Sequence, residues 1–188
     1  MLENSFNSEN TNDCSPENLQ YKNFQKIEKE SNQIKRKLVH KMAKTILKCI
    51  ENNMSNPFYY IFINLSNKSA FFISEPPNIQ IIDYYNRIID FTRILNSTLI
   101  YSFVLLNRLL KGYIWITEYN SHNLLATSCL IALKCNEDLI FNNHFYAKVF
   151  GVKLSELNNM EYEFLKNIHF ETWVCLDEYD LFKNLIFQ

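Results

Sequence analysis

Glycine is nearly missing from this chain: only Gly112 and Gly151 occur in 188 residues. Motifs built on closely spaced glycines are thereby excluded, the P-loop, G-x-G-x-x-G and G-x-S-x-G alike. The five cysteines, Cys14, Cys49, Cys129, Cys135 and Cys175, are odd in number, widely spaced and without a C-x-x-C pair. Two fall inside predicted buried helices, so a reduced intracellular protein with packing cysteines is expected. The histidines, His40, His122, His144 and His169, form no H-x-x-x-H or H-E-x-x-H pattern. Each is expected at the surface or at a helix cap, and no metal or cofactor is expected. The most apolar stretch, Leu99 to Leu110, is broken by Tyr101, Ser102, Asn107 and Arg108. It falls short of the roughly 20 residues a membrane helix needs. The opening residues have neither a basic start nor an apolar run, so no signal peptide is expected, and a cytoplasmic or nuclear place is.

A formal net charge of −1 names no partner, but the charge is unevenly spread. Residues 1–21 carry four acids and no base; residues 22–48 carry nine bases against Glu28 and Glu30. The acidic stretch has little to bury and reads as a disordered tail. From about Gln33, Ile34, Leu38, Met42, Ile46 and Cys49/Ile50 draw one apolar stripe, with the lysines mostly off it. A basic amphipathic helix is therefore expected within 22–52. Its charge suits an anionic surface or nucleic acid, but it lacks aromatic interleaving beyond Tyr21 and Phe24. Docking on the rest of the protein is the favoured reading. Residues 53–78, aromatic and β-branched with Pro76 and Pro77, read as an extended connector, with a short hairpin as the alternative.

After Asn78 the pattern is all-α, with hydrophobic residues at 47% of the chain, enough for a real core. Helices are expected at about 79–95, 97–111, 120–135, 142–149, 155–168 and 177–187. Gly112 and Gly151 stand where two of them stop, as left-handed C-caps; Asn142 or Asn143 caps the fourth, and Ser155 the fifth. Between Asn120 and Lys134 no residue is charged, and the middle is Leu, Ala, Thr, Ser, Cys and Ile. A helix without a polar face must be packed on nearly all sides. Lys134 sits at its rim. Glu161 sits at the margin of the later stripe Leu157, Met160, Phe164, Leu165 and Ile168. Chemistry alone leaves two readings: an ion pair at the core's edge, or charges reserved for a partner. Glu161 and Glu163 point to different helix faces, so no acid–base pair forms and no enzyme or small-molecule substrate is expected.

Tyr84-Tyr-Asn-Arg87-Ile88, Leu106-Asn107-Arg108-Leu109, His122-Asn-Leu124, Ala132-Leu-Lys134, Asp138, Asn143, Tyr146-Ala-Lys-Val149, Gly151-Val152, Glu156-Leu-Asn158, Glu161, Phe164-Leu165 and Phe170 follow one another in an order. In that order and spacing, over about residues 77–187, the chain resembles the single-box cyclins of the phosphate-system type, also called P-type or U-type. The resemblance implies one five-helix cyclin box over 79–188, with an N-terminal amphipathic helix and a short C-terminal helix. It implies a regulatory subunit that binds and activates a cyclin-dependent kinase. The residues matching Lys134 and Glu161 would hydrogen-bond the kinase C helix and nearby strand. Ile131, Cys135, Leu165 and Phe170 would contact that helix, and Glu137 and Asp138 would face the activation loop or substrate. Asn107 stands where the family has an aspartate paired with the arginine matched here by Arg87, so a polar Arg87–Asn107 pair is expected without its charge. His122-Asn123 replaces His-Arg, and Cys135 a common aromatic. The rival readings are an adaptor that binds partners without activating a kinase and a nucleic-acid-associated factor.

Overall fold

The structure, a computed structural model, describes residues 16–112 and 114–187. These residues form eight α-helices and no strand. They are α1 (Pro16–Met54), α2 (Tyr59–Ser66), α3 (Ile81–Thr92), α4 (Asn96–Lys111), α5 (Ser121–Asn136), α6 (Asn143–Phe150), α7 (Leu154–Asn167) and α8 (Leu176–Phe187). The expected disordered tail lies outside the described residues over 1–15. From Pro16 the chain is already helical, earlier than the apolar stripe suggests; proline at the first helical position has its φ preset and no N–H to lose.

The chain divides between Ile34 and Lys35 into two units. In the first, the side chains of residues 20–30 are all exposed, Tyr21, Phe24 and Ile27 among them. Ile34, placed on the stripe by its spacing, is exposed too. In the second, the stripe behaves as its period requires: Leu38, Met42, Ile46 and Ile50 are buried and Cys49 half-buried. Lys35 is buried as well, and desolvation holds its ammonium below the usual lysine value, opposed by Glu137 and Asp90.

The uncharged helix is the hub. Every residue of α5 from Ser121 to Leu133 is buried, because α3, α4, α6 and α7 all pack on it. Small residues allow that approach, and Cys129 sits where its Sγ faces Ser102 Oγ of α4 at 3.7 Å. Each fully buried leucine in α5 contributes about 1.5–3 kcal/mol. α8 closes the outer side of α4. There Arg108 of α4 pairs with Glu178 of α8 and donates to the Glu171 carbonyl at 2.9 Å.

Three local expectations are corrected. The connector is not extended throughout: Tyr59–Ser66 is helical. Its apolar residues are not periodic on one face, which hid the helix. Tyr59 is buried with its hydroxyl on Glu118, and Phe62 stacks on Trp115 with ring centroids 4.2 Å apart. Gly112 ends α4 with φ −69° and ψ −159°, not left-handed, whereas Gly151 caps α6 at φ 75°. Ser155 lies inside α7, not at its cap. The chain enters α7 at Lys153, whose backbone N–H donates to Glu156 Oε2 at 3.0 Å. Asn142, by contrast, caps α6, accepting from the Phe145 N–H at 3.0 Å.

The segment between α2 and α3 is strapped across the box. Glu163 of α7 accepts from Ser69 Oγ at 2.6 Å and from the Ala70 N–H at 2.8 Å. Asn123 of α5 donates to the Phe71 carbonyl, and the Ile73 N–H to that of Tyr119. Phe71 is buried between them.

Candidate partner-docking site

Lys134 lies in the last turn of α5, where an ammonium suits the negative helix end. α7 packs along α5 and carries Glu161 opposite it. The two side chains meet: Lys134 Nζ is 2.6 Å from Glu161 Oε1. Neither is sealed, the side chains being 30% and 18% exposed. The second carboxylate oxygen, Oε2, accepts from Asn143 Nδ2 at 2.9 Å. The ammonium thus uses one of three N–H donors, and the carboxylate keeps lone pairs to spare. The pair is a fixed donor–acceptor unit at the mouth of a buried helix, with capacity left for backbone groups of a partner.

The other residues expected here are distributed unevenly. Cys135 is exposed beside Lys134, and Leu165 is half-buried one turn beyond Glu161. Phe170 is exposed. Ile131 is 2% exposed and packs under the face rather than on it, because α5 turns that position inward. Asp138 is exposed, but Glu137 is engaged within the chain: its Oε1 accepts the Leu95 N–H at 2.8 Å at the start of α4. The Arg87–Asn107 pair does not form. Arg87 donates to the Lys148 carbonyl of α6 at 3.1 Å, since α3 packs on α6 and α5. Asn107, on α4, borders an apolar cavity with Phe103, Leu106, Leu110 and Phe182.

His122 is neither at the surface nor a cap. It is buried, and its Nε2 lies 2.9 Å from the Ile79 carbonyl. A carbonyl can only accept, so Nε2 carries the hydrogen. Desolvation lowers the imidazole's pKa, the Ile79 hydrogen bond opposing it.

Sequence reasoning missed two features. After α5, Leu139, Ile140 and Phe141 are exposed in a row, with the Phe141 ring tilted against that of Phe145, centroids 4.2 Å apart. Three large apolar residues in a loop between two helices follow neither period, and that is the signal that could have found them. After α7, His169 and Phe170 both have positive φ, 54° and 59°, which puts Phe170 outward and leaves Trp173 81% exposed. The segment is pinned: the Phe170 N–H donates to the Leu165 carbonyl at 2.7 Å and Tyr101 Oη to that of Thr172 at 2.5 Å. Two consecutive non-glycine residues in the left-handed region are unfavourable unless the surroundings impose them.

The family model described as Cyclin matches residues 5–172. The chain is similar to Cyclin-U4-3 of Arabidopsis thaliana, 35% identical over 122 residues, covering 62% of this chain and 56% of that protein. It is similar to Cyclin-P4-1 of Oryza sativa subsp. japonica, 35% identical over 105 residues, 55% of this chain and 50% of that one. It is also similar to PHO85 cyclin-7 of Saccharomyces cerevisiae, 30% identical over 132 residues, 63% and 46% respectively. The chain thus spans about half the length of the curated relatives it matches.

Proposed function

Because the chain belongs to the cyclin family, of the P/U type, we propose that it docks on the C helix of a cyclin-dependent kinase and switches that kinase on. The observation that carries the reading is the Lys134–Glu161 pair, 2.6 Å apart and partly open to solvent at the end of a helix buried from Ser121 to Leu133. A buried hub makes the pair's position rigid. The ammonium donates to carbonyls at a kinase helix end and the carboxylate accepts from amides, each such charged hydrogen bond contributing about 1.5–3 kcal/mol. Cys135, next to Lys134, and Leu165, one turn beyond Glu161, add exposed and half-buried apolar surface, and Phe170 would extend it on the partner's side. Holding the C helix inward sets the kinase's own Lys–Glu ion pair, which phosphoryl transfer requires.

The test is a pull-down from native extract, with mass spectrometry and a kinase assay on the eluate. Wild type is run beside Lys134→Ala/Glu161→Ala. A kinase is expected with wild type and not with the double variant. The same kinase recovered with both would sink the assignment of this face.

A further inference from the structure

Two asparagines stand beside the docking pair without a role in it so far. Asn143 is the first residue of α6, and its Nδ2 donates twice, to Asn158 Oδ1 at 2.8 Å and to Glu161 Oε2 at 2.9 Å. A carboxylate has no hydrogen to give, so the amide must turn its nitrogen toward Glu161, and Asn158 must turn its oxygen toward Asn143. Both amide hydrogens are consumed. Asn158 and Glu161 are three residues apart on α7, neighbours on one helix face. The three side chains close a bridge from the start of α6 to the middle of α7.

We propose that Asn143, seconded by Asn158, is a positioning residue of the partner face, fixing the plane of the Glu161 carboxylate. This rests on the docking role of Glu161 proposed above. Lys134 holds only Oε1. With a single hold, the carboxylate swings about its last side-chain bond, and its outward lone pairs point in no fixed direction. The second hold, on Oε2, stops that rotation. An acceptor fixed before the partner arrives loses less freedom on binding. The bridge is not a core strut: Asn143 is half-buried and Asn158 exposed.

The experiment measures dissociation constants for the kinase recovered above, by biolayer interferometry on the full chain, with melting curves of each variant. Asn143→Ala is expected to melt within a few degrees of wild type and to bind on the order of ten-fold more weakly, the scale of one lost hydrogen bond to a charged group. Asn143→Asp, which sets a second carboxylate against Glu161, is expected to bind more weakly still. Asn143→Asp/Glu161→Gln rebuilds the bridge with donor and acceptor exchanged. It is expected to recover the melting temperature but not the affinity, because the charged carboxylate with its second acceptor oxygen no longer stands at 161. Recovery of both would overturn the proposal, since the bridge would then be merely structural. So would Asn143→Ala binding within two-fold of wild type while Glu161→Ala fails to bind, and in that case the docking role of Glu161 survives. If Glu161→Ala itself binds like wild type, the docking role falls and the positioning role with it.

Discussion

At the scale of single residues, burial decides which groups respond to their surroundings. His122 has its folded-state pKa lowered below 6.5, chiefly by desolvation. The sign follows directly: below 6.5 the unfolded chain binds a proton that the folded chain refuses, so acidification favours unfolding. The stability His122 contributes is present above 6.5 and is lost as pH falls from there through the lowered pKa. Urea titrations at about pH 7.5 and about pH 5.5 are expected to show the midpoint falling with acid, and His122→Gln, which keeps a donor for the Ile79 carbonyl, is expected to shrink that fall. An unchanged slope in the variant would place the acid sensitivity elsewhere. The cysteines separate by the same logic. Burial pushes the Cys129 thiol up to about 12, so almost no thiolate exists at neutral pH. Cys135 and Cys175 are exposed. Alkylation with mass spectrometry is expected to modify Cys135 and Cys175 in the native protein and Cys129 only on unfolding. Bound kinase is expected to shield Cys135 but not Cys175. Equal labelling of Cys135 with and without kinase would remove it from the interface.

Among the elements, the parts legible in the sequence are those where one local cause fixes one local outcome. The uncharged run of α5 permits no solvated face, so its central place followed from composition alone. Asn142 caps α6 and Gly151 stops it at φ 75° because short-range chemistry, an amide oxygen over free N–H groups and a residue without Cβ, needs no tertiary help. Gly112 shows the limit: the same residue after a similar basic last turn adopts φ −69°, so the residue type alone does not fix the cap. The α2 helix and the Glu163 strap were not legible, since each depends on what lies across the fold. The same holds for Arg87, which bonds to the Lys148 carbonyl of α6 rather than to Asn107 because α3 packs on α6. Gly151→Ala isolates the local part. A Cβ there would meet nothing nearer than the flexible Arg87 guanidinium at 3.9 Å, so the whole cost is the left-handed backbone, about 1–2 kcal/mol. Denaturant melts should return that loss, and a variant as stable as wild type would mean the C-cap can re-form otherwise. Glu163→Ala tests the tertiary part. Ser69 and the Ala70 N–H lose their acceptor, and hydrogen exchange is expected to quicken over residues 69–73 while α5 stays protected.

For the whole molecule, charge is unevenly spread along the chain, and that makes the two partner classes separable by salt. The bases concentrate over residues 22–48, and the side chains of residues 20–30 are exposed. The Lys134–Glu161 pair, by contrast, sums to zero: one ammonium and one carboxylate 2.6 Å apart, with the exposed Cys135 next to Lys134 and the half-buried Leu165 one turn beyond Glu161. A surface that neutralised phosphates would release counterions, and its affinity would fall steeply, by about 10³ or more between roughly 50 mM and 200 mM salt for six or more contacts. A net-neutral pair in apolar surroundings releases none. Kinase affinity is therefore expected to change by no more than about three-fold over that range, since surface screening is all that remains. Removing residues 1–30 extends the test. The side chains of residues 20–30 are exposed, and the melting temperature of the shortened chain is expected to hold. If the shortened chain binds the kinase as the full chain does, the basic segment is free for another purpose. If affinity collapses and the full chain's binding proves steeply salt-dependent, the decisive contact lies in the lysines and not in the Lys134–Glu161 face.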